Sequence, residues 1–229
     1  MTAPVLIITG TDTEVGKTIT TAAIAAALKS QGQRVLVIKL VQTGVEDGEE
    51  GDAQTVAQLA EVDVEECVRL PEPLAPDVAA ARAEVELPAV ADHAETVAEH
   101  ASSQSYDIVL VEGSGGLLVH LDQARGTLPD LAMPLEARGI RVGAIVVARA
   151  GLGTLNHTAL TLEALRIRGV DLVGVVIGSA PASPGLAEET NVEQLSNLAD
   201  GQLLGAVPEG AGDLDPGTFR EHAPGWITL

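Results

Sequence analysis

The chain has 229 residues, a length that suits one α/β domain, and only Tyr106, Phe219 and Trp226 are aromatic, so its core must be aliphatic, as in a parallel sheet covered on both faces. A net charge of −20 argues against nucleic acid and against an anionic membrane surface as partners, since Lys and Arg hold both. Cys67 is the single cysteine, which excludes an internal disulfide and a thiolate metal cage; with no basic-apolar leader and no run of membrane-spanning length, the chain is expected to be cytoplasmic.

Residues 4–9 are apolar and β-branched and read as a buried strand. Residues 18–30 form an alanine-rich helix that ends before Gly32. Residues 34–38 are the second strand, 46–51 an acidic loop, and 52–60 a helix opened by Asp52. Prolines break the pattern at 71–76, and helices follow at 77–82 and 90–102. A strong strand at 107–111 runs into Glu112-Gly113-Ser114-Gly115-Gly116. Residues 128–138 are helical and 141–148 a strand, followed by a Gly-rich turn at 150–153. A helix at 156–168, a strand at 170–177, a helix at 185–199 and a short strand at 203–207 complete the pattern. Strands alternating with helices imply right-handed βαβ units. The expected architecture is three-layer α/β, with a doubly wound, mostly parallel sheet and helices on both faces, in one domain over residues 1–229.

The first strand feeds Gly10-Thr11-Asp12-Thr13-Glu14-Val15-Gly16-Lys17-Thr18, and a helix follows at once. Backbone N–H groups in such a loop, at the positive end of a helix, bind phosphate with little further ordering. Gly16 lets the backbone approach, Lys17 reaches the β and γ oxygens of a nucleoside triphosphate, and the Thr18 hydroxyl can ligate Mg²⁺. The fold is therefore P-loop NTPase-like. The loop is one residue longer than usual, with five residues between Gly10 and Gly16 and Thr11 in the usual first-glycine position.

Mg²⁺ needs more than one hard oxygen ligand. Glu112 ends the strand at 107–111, on the carboxyl edge beside the loop, and the glycines after it leave room for a ligand. A second acidic ligand is to be sought among Glu46, Asp47, Glu49, Glu50 and Asp52, between which spacing does not choose. Lys39, closing the second strand, would place another ammonium over the phosphates. The turn from Gly151 to His157 opens a helix whose free N–H groups can take a carboxylate, and an ordinary cap by Thr154 or Asn156 explains it equally well. His120 and His157 read as structural. No zinc cluster and no Ser-His-Asp pattern stands out.

These segments resemble the dethiobiotin synthetase family, ATP-dependent ligases of biotin synthesis. The matching stretches are residues 10–18, Lys39-Leu40-Val41-Gln42-Thr43-Gly44, Asp52-Ala53, and residues 111–117 and 152–158. They occur in the family's order over about two-thirds of the chain, and the extra loop residue makes the first of them specific.

The resemblance implies a reaction. One amine of 7,8-diaminopelargonic acid takes up CO₂ (from bicarbonate) as a carbamate, and the γ-phosphate of ATP activates it as a mixed anhydride. The second amine then closes the ureido ring and expels phosphate. It also implies roles. Lys17 and Lys39 are the catalytic cations. Thr13, Glu14, Val15, Gly16, Lys17, Thr18 and Ile19 bind the nucleotide, together with Asp52, Glu112, Gly113, Ser114 and Gly115. Thr18, Asp52 and Glu112 hold Mg²⁺, and Thr43 contacts the diamine or carbamate. The amides of Gly153, Thr154 and Leu155 receive the substrate carboxylate across a homodimer interface, with Asn191 assisting. Pro208, Glu209 and Gly210 match a base-side contact. Gly178 and Ser179 stand where many members carry an Asn-Asp type pair that reads adenine, and a glycine cannot make those bonds, so base preference stays open. Leu40 replaces the usual proline, a change confined to the stretch after Lys39.

Two other readings share this fold. A partitioning or septum-site type ATPase switch carries a second lysine early in its loop, where this chain has Thr11-Asp12-Thr13. An amidoligase of the cobyrinic acid synthase type carries a glutaminase-like domain with a cysteine nucleophile, which this sequence lacks.

Overall fold

The computed structural model describes residues 2–229. Seven strands form one sheet in the order β3-β2-β4-β1-β5-β6-β7, and every neighbouring pair is parallel. The strands are β1 (Val5–Gly10), β2 (Val35–Thr43), β3 (Asp63–Leu70), β4 (Ile108–Gly116), β5 (Val142–Ala148), β6 (Asp171–Ala180) and β7 (Leu203–Pro208). The helices are α1 (Lys17–Ser30), α2 (Asp52–Ala60), α3 (Pro76–Ala83), α4 (Val90–Ser102), α5 (Ala132–Glu136), α6 (Thr154–Ile167), α7 (Leu186–Leu198) and α8 (Pro216–His222).

Two apolar layers sandwich the sheet. One contains α1, α2 and α8 residues such as Ile24, Val56 and Phe219, packed on Ile8, Val37 and Leu110. The other packs Val97, Leu131, Leu162 and Leu195 on Ile7, Ile38 and Val111. The alternation along each strand sorts the side chains between the layers. Val35 and Val37 of β2, with Ile108 and Leu110 of β4, face the α1 layer. The next positions on that face are Lys39 and Glu112, which are register partners on adjacent strands. The α1 layer thus changes from apolar to charged where it reaches the carboxyl edge. The chain runs from β1 outward to β2 on one side and crosses back from β4 to β5 on the other, so the phosphate loop sits where the strand order reverses.

The structure departs from the sequence reading in four places. Strand β3 was not anticipated: Asp-Val-Glu-Glu-Cys-Val-Arg-Leu is an edge strand, half covered, whose charges hide the period. Strands β2, β4 and β6 run longer than expected, so Lys39, Glu112 and Gly178 lie within strands rather than at their ends. The helix expected over 128–138 is a 3₁₀ turn, Leu128–Leu131, followed by the single turn α5. Helix α8 was missed. Asp215 caps it, accepting from the N–H groups of Gly217 and Thr218, and Pro216 starts it. It buries Phe219 edge-to-face on Trp226, with ring centroids 5.3 Å apart.

Candidate nucleotide and metal site

Gly16, at the N-terminus of α1, adopts a left-handed conformation with φ 91°. A Cβ there would lie 2.3 Å from the carbonyl oxygen of Gly178, and one on Gly178 would lie 2.0 Å from the carbonyl of Val15. The loop and β6 therefore touch backbone to backbone, which demands glycine on both sides. This gives Gly178 a packing reason that is independent of any contact with a base. Ser179 and the turn Pro208-Glu209-Gly210 lie exposed beside it, with the Glu209 N–H bonded to Ala180 O at 2.8 Å.

A cavity of about 570 Å³ opens over the loop. Its lining takes Thr13, Glu14, Gly16, Lys17, Thr18 and Ile19 from the loop and α1, and Lys39 and Thr43 from β2. Asp52 and the pair Ser114-Gly115 close the other side. A second cavity, of about 440 Å³, adjoins it and shares Thr13, Thr43, Ser114 and Gly115. The second is more apolar, with Pro73, Leu74, Ala75, Pro76 and Val119.

Charge is concentrated at the floor. The buried Lys39 Nζ lies 2.5 Å from Asp52 Oδ2, 3.0 Å from Glu112 Oε1 and 3.2 Å from Gly113 O. Burial alone would lower the Lys39 value, but Glu112 and Asp52 outweigh it and hold the ammonium above the ordinary lysine range. Burial likewise opposes ionisation of Asp52, and Lys39 overrides it, so that carboxyl sits below its ordinary value. Lys17 goes the other way. Burial lowers it, Glu112 partly compensates, and Lys39 adds repulsion. Its Nζ rests on the Asp12 carbonyl at 2.9 Å. Two ammonium groups share one floor, and Lys17 carries the burial cost that an arriving anion would offset.

The oxygen donors suit a hard divalent cation. Thr18 Oγ1 donates to Glu112 Oε1 at 3.2 Å, while the buried Glu112 Oε2 has no hydrogen-bond partner among the described residues. A buried carboxylate oxygen left without a partner is costly unless something else satisfies it. Thr18, Asp52 and Glu112 provide oxygen only, as Mg²⁺ prefers, and would leave the remaining positions to water and phosphate. Lys39 lies between the two carboxylates, where a cation would also be drawn.

The structure does not bring all the expected residues together. Gly153, Thr154, Leu155 and Asn191 are absent from the lining of this cavity. Gly153 starts α6 in the open, with φ 90°. Asn191 is buried, and its amide donates to the carbonyls of Ala150 at 2.8 Å and Gly151 at 3.1 Å, so it braces the turn before α6. His120 pairs with Asp77 at 3.0 Å and His157 is exposed.

Three side chains were missed. Gln42 accepts the Asp52 N–H at 2.8 Å and so ties α2 to β2. Arg69 donates to the carbonyls of Glu46 and Glu49 and holds the acidic loop. Arg149 reaches Asp12 and Thr13. Only Arg149 had a signal, as a basic side chain at a strand end in a chain of net charge −20.

A family model described as an AAA domain matches residues 5–214. An ATP-dependent dethiobiotin synthetase of Streptomyces avermitilis is 52% identical over 224 residues, which covers 97% of this chain and 91% of that protein. One of Rhodococcus jostii is 48% identical and covers 97% and 94%. This chain belongs to the ATP-dependent dethiobiotin synthetase family. Its enzymes are ligases, and the chain shares its fold with more distant proteins. Chloroplast FtsY of Physcomitrella patens has a TM-score of 0.58 at 21% identity, covering 97% of this chain and 66% of that one. The MinC:MinD complex of Aquifex aeolicus gives 0.56 at 16%, covering 96% and 86%. Those two likenesses concern the fold alone.

Proposed function

We propose that the chain is an ATP- and Mg²⁺-dependent ligase that carboxylates 7,8-diaminopelargonic acid with CO₂ and closes the ureido ring of dethiobiotin, as a homodimeric, cytoplasmic, single-domain enzyme. Beyond family membership, one observation supports it most. Two lysines of opposite pKa tendency, Lys17 and Lys39, meet two carboxylates and a hydroxyl on the floor of one cavity.

In this reading the triphosphate lies along residues 13–18, with Lys17 leaving the Asp12 carbonyl for the β and γ oxygens. Thr18, Asp52 and Glu112 would hold Mg²⁺, which would offset phosphate charge. Lys39, shared between Asp52 and Glu112, is near enough to the loop to offset charge on the carbamate and on the phosphoryl group in transfer. The carbamate oxygen attacks the γ-phosphorus and ADP leaves. The second amine then attacks the carbamoyl carbon and phosphate leaves. Thr43, which lines both cavities, suits the boundary where nucleotide and diamine meet. The apolar walls of the adjoining cavity suit an alkyl chain.

The substrate carboxylate is assigned to Gly153, Thr154 and Leu155 of the opposite protomer. Support comes from their absence from their own chain's cavity, and from the exposed Leu152, Leu160, Leu186 and Val192 around α6 and α7. The base is assigned to the edge formed by Gly178, Ser179 and Pro208-Glu209-Gly210, with backbone groups in place of side chains.

The test supplies diaminopelargonic acid, bicarbonate, Mg²⁺ and ATP and looks for the cyclic urea by mass spectrometry. Phosphate release that ignores the diamine, with no cyclic urea, refutes the reading. Running ATP against CTP and GTP decides what the Gly178 edge selects.

A further inference from the structure

Arg149 follows β5 directly and precedes the turn into α6. Its side chain is half exposed yet directed at the phosphate loop. A single nitrogen, Nη2, donates to Asp12 Oδ2 at 2.9 Å and to Thr13 O at 3.3 Å. Asp12 passes the constraint on. Its Oδ1 accepts the Thr13 N–H at 2.8 Å and its carbonyl accepts Lys17 Nζ at 2.9 Å. Glu14, the next residue after Thr13, is left-handed at φ 56°, a conformation that a non-glycine residue keeps only where its neighbours hold it.

The rest of the loop is anchored without Arg149. Gly16 O accepts the Thr20 N–H at 2.9 Å, Lys17 O accepts the Thr21 hydroxyl at 2.9 Å, and Gly16 is wedged against Gly178. Thr13 is different because it borders both cavities. Opposite it, a Cβ built on Gly115 would lie 3.5 Å from Thr13 Oγ1, so the gap between the two is narrow.

We propose that Arg149 is a positioning residue for the diamine end of the site: through Asp12 it fixes Thr13 at the boundary of the two cavities, while the backbone of residues 16–18 keeps its separate anchors. The inference rests on the ligase reading above, since Thr13 matters to the diamine only if the adjoining cavity receives it. A half-exposed ion pair adds little to global stability. Its effect is therefore expected in substrate binding and not in melting temperature.

The experiment compares the full-length chain with Arg149→Ala and Arg149→Lys. In steady-state assays Arg149→Ala is expected to raise KM for the diamine about tenfold and KM for ATP by no more than about threefold, because the triphosphate keeps the anchored residues 16–18 while the diamine end loses Thr13. Arg149→Lys is expected to recover most of that loss, since one nitrogen makes both contacts. Amide hydrogen exchange without ligands gives a second readout: the peptide containing Thr13 should exchange faster in Arg149→Ala, with α1 unchanged. An unaltered KM for the diamine, an equal rise in both KM values, or no change in exchange at Thr13 overturns the proposal. A wild-type chain that forms no cyclic urea overturns the ligase reading instead, and the exchange experiment then decides by itself whether Arg149 holds the loop.

Discussion

The phosphate loop and the turn before α6 have the same local design. Each leaves the carboxyl end of a central strand, and each opens a 14-residue helix with a left-handed glycine, Gly16 at φ 91° and Gly153 at φ 90°. Their surroundings differ. Gly16 is packed backbone to backbone on Gly178, and two lysines, Asp52 and Glu112 lie beyond it. None of the described residues comes within 4 Å of a Cβ built on Gly153, and the neighbouring Leu152 is 89% exposed. A helix start provides N–H donors in both cases. Only the first is surrounded by a cluster of charged side chains, and the second lies open.

The largest effect expected from disturbing the first region comes from Lys39. Lys39→Ala should lower kcat by about 10³ while nucleotide affinity changes by less than about tenfold, because its contacts gain strength as charge develops on the reacting groups. Single-turnover kinetics beside nucleotide titration separates the two, and an unchanged rate would remove Lys39 from the chemistry. The glycine pair tests the comparison itself. Gly16→Ala drives a methyl into the Gly178 carbonyl and should cost about 3 kcal/mol of stability together with nucleotide binding. Gly153→Ala meets no atom and should cost about 1 kcal/mol, from φ alone. Urea melts of both variants decide it, and equal losses would show the two turns to be equivalent.

A subtler test uses mixing. Lys39→Ala and Gly153→Asp protomers, each inactive alone, should together recover about a quarter of wild-type activity if each site draws on both chains, because half of randomly paired dimers carry one intact site of two. No recovery would mean that each site is built from one chain, and an active Gly153→Asp protomer would place the α6 turn outside the catalytic site.

The smallest effect is on pH dependence. Asp52 is held below the ordinary aspartate value of 3.8, so its stabilising contribution is complete above that value and is lost as pH falls through the lower, folded value. Asp107, paired with Arg34 and lowered to about 2, behaves alike. Lys39 is raised above 10.5, so its contribution is complete below that and fades only as pH rises past it. Lys17, lowered by burial, instead penalises the folded state at low pH, and the penalty eases on approach to 10.5. Stability should therefore be nearly flat from about pH 5 to about pH 9 and fall below pH 4. Asp52→Asn should soften that acid limb in denaturant melts at stepped pH, and an unaltered limb would mean that Asp52 is not held low.

Local rules made much of the fold legible. Helix α2 from Asp52 to Ala60 and helix α4 from Val90 to Ser102 have the boundaries expected from sequence. Strand β3 was hidden because an edge strand tolerates charge. Helix α8 was hidden because its one strongly buried residue, Phe219, finds its partner in Trp226 only after the chain has folded back on α1. In the candidate site, sequence spacing left five acidic residues equivalent. The structure puts Asp52 Oδ2 against Lys39 Nζ because α2 begins where Gln42 of β2 accepts its first N–H.

The sequence by itself determined the loop from Gly10 to Thr18, its extra residue and the order of the strands and helices other than β3 and α8, since these depend on neighbours along the chain. Tertiary structure decided which charges meet: Lys39 beside Glu112 by strand register, Gly178 under Gly16 by backbone contact, and Arg149 on Asp12 across 137 positions. Side chains so far apart in sequence come within hydrogen-bond reach only because a parallel sheet brings the carboxyl ends of its strands to one edge, and no local pattern encodes which of them will be adjacent there.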